Sequence, residues 1–165
     1  MDKKEIKYYF YEYDFAIMII KEANAVKRNR AGGFEMLLAD LKKQEEKESF
    51  VNLAYLVAKS DGCLGYAELQ LINLYLEEMG LEQDQVSLQP ISLQHLCGNF
   101  PDQRSKQIVY ANLLSLASID GLDNEGKKSI LDLIQENLTL SPTEAQYYQD
   151  ELKVINGSYV PSYVD

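Results

Sequence analysis

Five carboxylates hold the positions where this chain could do chemistry: Asp61 and Glu68, then Asp120, Asp123 and Glu125. Their oxygens are hard donors of the kind that Ca2+, Mg2+ or Mn2+ accept. Each group gathers at an Asp-Gly step, Asp61-Gly62 and Asp120-Gly121. Asp61 and Glu68 alone are too few for a tight hard-cation site. The run Asp120-x-x-Asp123-Asn124-Glu125 supplies more oxygens, but its spacing is not that of an EF-hand loop. The same residues have a local structural reading. Asp at a helix end accepts backbone hydrogen bonds, and the Gly after it takes positive φ. A glutamate in the first turn of a helix is favoured by the dipole. From sequence alone both readings stand: helix punctuation, or a divalent-cation site with these five residues as its ligands.

Other reactive groups are sparse. His95 and Cys97 stand two apart, but a zinc site needs three or four such ligands. Cys63 and Cys97 form no C-x-x-C pattern, so free thiols and a reducing compartment are expected. His95 is the single histidine and has no evident nucleophile beside it. The chain therefore reads as a non-enzyme with no catalytic residue.

The carboxylates are positioned by an internal repeat. Residues 51–81 overlie residues 110–140 at a constant offset of 59 without a gap. Ala58-Lys59-Ser60-Asp61-Gly62 falls on Ala117-Ser118-Ile119-Asp120-Gly121, and Leu71-Ile72 falls on Ile130-Leu131. One supersecondary unit is thus used twice: an apolar helix, an Asp-Gly turn, a second apolar helix. The apolar spacing predicts helices over 46–59, 66–79, 102–118 and 124–137. Earlier helices are predicted over 15–29 and 34–43, the first ending at Ala31-Gly32-Gly33. A short helix fits Ser92 to Leu96. Ser141-Pro142-Thr143-Glu144 opens a last helix over about 142–154, with a serine cap, a proline at the first helical position and a capping-box glutamate. Gly80 is placed as the residue that terminates helix 66–79, with Leu81 packing beyond it. The fold class is all-α, about seven helices in a pseudo-twofold bundle built from two helical hairpins. Its core should bury Leu53, Val57, Ile72, Leu76, Leu113, Leu116, Leu131 and Ile134.

Charge is unevenly spread. Residues 1–50 carry ten Lys/Arg and ten Asp/Glu, while residues 51–165 carry six against sixteen, which is the whole net charge of −10. That surplus repels nucleic acid and attracts cations or basic partners. The longest apolar run, Phe15 to Ile20, is far short of a membrane span. Glu12 and Asp14 interrupt the aromatic start of the chain, which argues against a secretory leader. Tyr147-Tyr148, Tyr159 and Tyr163 are candidate partner contacts, or else cover the core with their hydroxyls in water.

The block Ala58-x-x-Asp61-Gly62-x-Leu64-x-x-x-Glu68, its flanking apolar helices, the terminal Gly80-Leu81 and the second copy Ala117-x-x-Asp120-Gly121 resemble tellurite-resistance TerB-like domains. The resemblance covers residues 34–154. It leaves residues 1–33 as an amino-terminal aromatic segment and first helix, and 155–165 as a carboxy-terminal tail, all in one globular unit. It implies a cytoplasmic bacterial stress or metal-resistance module, with acidic residues at both turns holding a divalent metal. Asp61 and Glu68 carry over in the first copy and Asp120 in the second. Lys127 stands where the pattern asks for the second glutamate, and Asp123 where it asks for leucine. The implied function is non-enzymatic: binding a divalent cation, a protein partner, or both through the acidic surface. The alternative is a structural helical adaptor for protein–protein interaction without metal.

Overall fold

A computed structural model describes residues 37–119 and 124–157, with side chains to residue 152. Among these residues the fold is all-α, with six α-helices and no strand. They are α1 (Gln44–Lys59), α2 (Tyr66–Met79), α3 (Leu93–Gly98), α4 (Gln103–Ala117), α5 (Glu125–Asn137) and α6 (Pro142–Gly157). The sequence-predicted helix 15–29, the aromatic cluster and the tail beyond 157 lie outside the described residues.

Helices α1 and α2 pack as a hairpin, and so do α4 and α5. The two hairpins pack through their first helices, α1 on α4, and each second helix also touches the other hairpin's first helix. Helix α3 fills the remaining side against α1 and α5, and α6 lies on α4. All eight side chains assigned to the core from apolar spacing are buried, Leu53, Val57, Leu113, Leu116 and Ile134 completely. Phe50 of α1 meets Tyr75 of α2 edge-on, with ring centroids 5.4 Å apart. The Tyr75 hydroxyl donates to the Asn112 carbonyl of α4 at 2.8 Å, so the buried ring bridges the two hairpins with its polar end satisfied. Burial pushes the Tyr75 phenol well above its ordinary pKa.

Helix ends follow the local chemistry. Gly80 closes α2 with φ +68, and the Leu81 amide donates back to the Leu76 carbonyl at 2.9 Å. The second copy repeats this closure 59 residues on: the Leu140 amide donates to the Gln135 carbonyl at 3.2 Å, and Thr139 takes φ +57 without being glycine. At the start of α6 the Ser141 amide donates to Glu144 at 3.0 Å, and the Glu144 amide donates to the Ser141 hydroxyl at 3.2 Å. That is the capping box read from the sequence. Gln103 and Gln107 also donate to Glu144, docking α6 on α4. These donors, led by the Ser141 amide, hold the Glu144 carboxyl below its usual pKa.

The helix predicted over 34–43 differs. Within its described part, only Leu38–Asp40 turns, as one 3-10 turn flanked by extended Leu37 and Leu41. Two glutamate side chains, accepting three backbone amides, account for the irregular path. The Leu38 amide donates to Glu78 at 2.8 Å, and the Lys42 and Lys43 amides both donate to Glu46 at about 3 Å. Leu38 and Leu41 are buried at three-residue spacing, which one tight turn supplies without a longer helix.

Candidate functional site

The first Asp-Gly turn places its carboxylates by ordinary local rules. Helix α1 ends at Lys59, and Gly62 takes φ +93. The Cys63 amide donates to one Asp61 oxygen at 3.3 Å. That bond, aided by Lys127, holds the Asp61 carboxyl below its usual pKa, against a smaller opposing effect of desolvation. Gly65 precedes α2, and its amide donates to Glu68 Oε2 at 2.8 Å. Glu68, read from the sequence only as a first-turn carboxylate favoured by the dipole, therefore also caps its own helix from the third helical position.

The other side of the cluster comes from the second copy. The Lys127 amide donates to the side-chain oxygen of Asn124 at 3.0 Å, which starts α5. Lys127 is thus the third residue of α5, as Glu68 is of α2. Its ammonium enters the protein and donates to Glu68 Oε1. Asp61 Oδ2 lies 3.7 Å from the same nitrogen. The side chains of Lys127 and Glu68 are 2% and 1% exposed, and that of Asp61 is 15% exposed. Asn124 adds a long contact from its amide nitrogen to Asp61 at 3.5 Å.

The approach of α5 is close. A Cβ on Gly126 would stand 2.6 Å from the Ser60 carbonyl oxygen and 3.2 Å from the Asn124 side-chain oxygen. Glycine lets the first turn of α5 rest on the carboxy-terminal end of α1, which brings Lys127 within reach of Glu68 and Asp61.

Of the five proposed ligands, the structure brings Asp61 and Glu68 to one point, and the cation at that point is Lys127. Glu125 is exposed in the first turn of α5. Asp120 and Asp123 lie outside the described residues. Among the described residues, no group of three His, Cys, Asp or Glu side chains converges as a metal site would. A divalent ion on Asp61 and Glu68 would have to displace a buried ammonium. The signal for this pairing was present in the sequence: opposite charges, Glu68 and Lys127, at matching positions of the repeat.

The remaining candidates fall on the surface or in the core. His95 is exposed, and its amide is held by the Ser92 hydroxyl at the start of α3. Cys97 is buried, which pushes its thiol up to about 11, while Cys63 is exposed. Tyr147 is 55% exposed. Tyr148 is half-buried between Tyr147 and Tyr110, and burial raises its phenol to about 12. Tyr159 and Tyr163 lie outside the described residues. No helix among the described residues is long and apolar enough to cross a membrane. Comparison of the chain with protein-family models, with curated proteins and with solved structures found no match.

Proposed function

We propose that this chain is a non-enzymatic, TerB-like helical module that works by binding a basic protein partner through its acidic surface. The observation that carries the reading is Lys127. Its single charge balances one of the two carboxylates, Glu68 and Asp61, that meet inside the protein, so the acidic groups open to a partner among the described residues are those on the surface. The segment from residue 60 to 103 has no Lys or Arg. Within it, Glu77, Glu82 and Asp84 are exposed around the end of α2 and the turn that follows. Acidic residues in the last turn of a helix oppose its dipole. The fold compensates only in part, with the Lys47 ammonium donating to the Met79 carbonyl at 2.9 Å. A surface that breaks a local rule is where function is sought first. Under this reading the setting is the cytoplasmic stress response that the TerB resemblance implies, and a divalent cation is not required.

The test is a panel of fluorescent helical peptides, basic, acidic and neutral amphipathic. The module should bind the basic set and weaken steeply with salt. Glu77→Gln, Glu82→Gln and Asp84→Asn together should remove the preference. Equal binding of all three sets would refute an electrostatic partner site, and preference for the neutral set would move the site to an apolar face.

A further inference from the structure

The pair Glu68–Lys127 is costly by every local measure. Lysine in the first turn of α5 opposes the dipole that favours Glu68 at the same place in α2. Both charged groups leave water almost completely. Burial of that kind persists only where the partners meet well and the other polar atoms are satisfied. Here Glu68 divides its oxygens, Oε2 to the Gly65 amide and Oε1 to Lys127. The pair also joins α2 and α5, which are not among the main packing partners of each other. Helix α5 packs chiefly on α1, α3 and α4, and Lys127 ties it to the first turn of α2.

We propose that Glu68–Lys127, flanked by Asp61, is a selective latch that fixes how the two hairpins close on each other. A one-residue slip of α5 turns the ammonium about 100° around the helix and away from both carboxylates. It would then lie in the apolar core or in water, and Glu68 would lose its ammonium. Only one closure keeps both charges paired. The ammonium thus holds, within the chain, the place between acidic groups that an external cation would otherwise take. This inference concerns the interior and stands or falls separately from the peptide-binding reading.

The test is a double-mutant cycle on the full chain in chelator, with Lys127→Met, Glu68→Gln and the two combined. Glutamine keeps an acceptor for the Gly65 amide. Unfolding equilibria and amide dispersion by NMR are read for each. Lys127→Met should lower the folding constant about 100-fold or more, because it removes the counter-charge of a buried carboxylate. Adding Glu68→Gln should recover at least about tenfold of that loss, since neutral partners need no counter-charge. The double variant should show broadened or doubled amide signals, reporting a closure no longer unique. Additive losses, or a Lys127→Met loss under about threefold, would overturn the latch, as would a double variant with wild-type dispersion. If Lys127→Met does not fold, the double variant decides: a folded double with broadened or doubled amide signals supports the latch, and an unfolded one or one with wild-type dispersion overturns it.

Discussion

Alanine in place of Gly126 should destabilise the protein, although the same change in a helix normally does the reverse. Glycine inside a helix costs about 1 kcal/mol relative to alanine, so propensity alone predicts a gain. At Gly126 the added Cβ would stand 2.6 Å from the Ser60 carbonyl oxygen. Ordinary contact begins near 3.4 Å. The neighbour is backbone at the end of α1, so α5 must move back by most of an ångström. That movement pulls Lys127 from Glu68 and loosens the packing of α5 on α1. Overpacking of this kind costs about 1–3 kcal/mol, against a propensity gain of about 1 kcal/mol. The net loss of up to about 2 kcal/mol should lower the melting temperature by up to roughly 8 °C in a chain of this size. Gly98 is the internal control, because a Cβ there meets nothing within 4 Å and φ is not positive. Gly98→Ala should be neutral or stabilising by up to about 1 kcal/mol. Thermal and urea melts of the two variants read both signs. A Gly126→Ala protein at least as stable as the wild type would refute the close contact between α1 and α5.

Three further outcomes test the packing around the site. Ile72→Ala and Leu113→Ala, at buried positions on α2 and α4, should each cost about 2–5 kcal/mol in denaturant melts, and a loss under about 0.5 would show the face misassigned. Thr139→Gly should raise stability by up to about 1 kcal/mol, because φ +57 suits glycine and strains a β-branched residue; a melting temperature that falls would show that the Thr139 contact to Lys106 outweighs the strain. One thiol, Cys63, should react with a disulfide reagent in the folded protein, and Cys97 only after unfolding; rapid reaction of both would contradict the burial of Cys97.

The parts of this fold that local chemistry dictates could be read directly. Helix α2 runs over Tyr66–Met79 as its apolar spacing and the glycine at 80 implied. The Ser141–Glu144 capping box closed as its spacing required. The turn at Asp61-Gly62 formed with Asp61 accepting from Cys63 and Gly62 at positive φ. What depended on distant groups was not legible in the same way. The 3-10 turn at Leu38–Asp40 is set partly by Glu78, forty residues away. The left-handed Thr139 follows from repeating the Gly80 closure with a residue that propensity would not choose there. At the candidate site, sequence marked Asp61 and Glu68 and noticed Lys127 as a departure from the expected pattern. It did not say that the departure is the partner, because two residues at matching repeat positions meet only once the hairpins close.

The Lys127 ammonium already occupies the cation position between Asp61 and Glu68, and on this reading the module needs no ion. Calorimetry of the chelator-stripped wild type with Ca2+, Mg2+ and Mn2+ tests it most directly, with the melting temperature followed in parallel. With Lys127 in place, no saturable heat and an unchanged melting temperature are expected at millimolar ion. Saturable binding that raises the melting temperature and disappears in Asp61→Asn would contradict it, and would return Asp61 and Glu68 to the role of metal ligands.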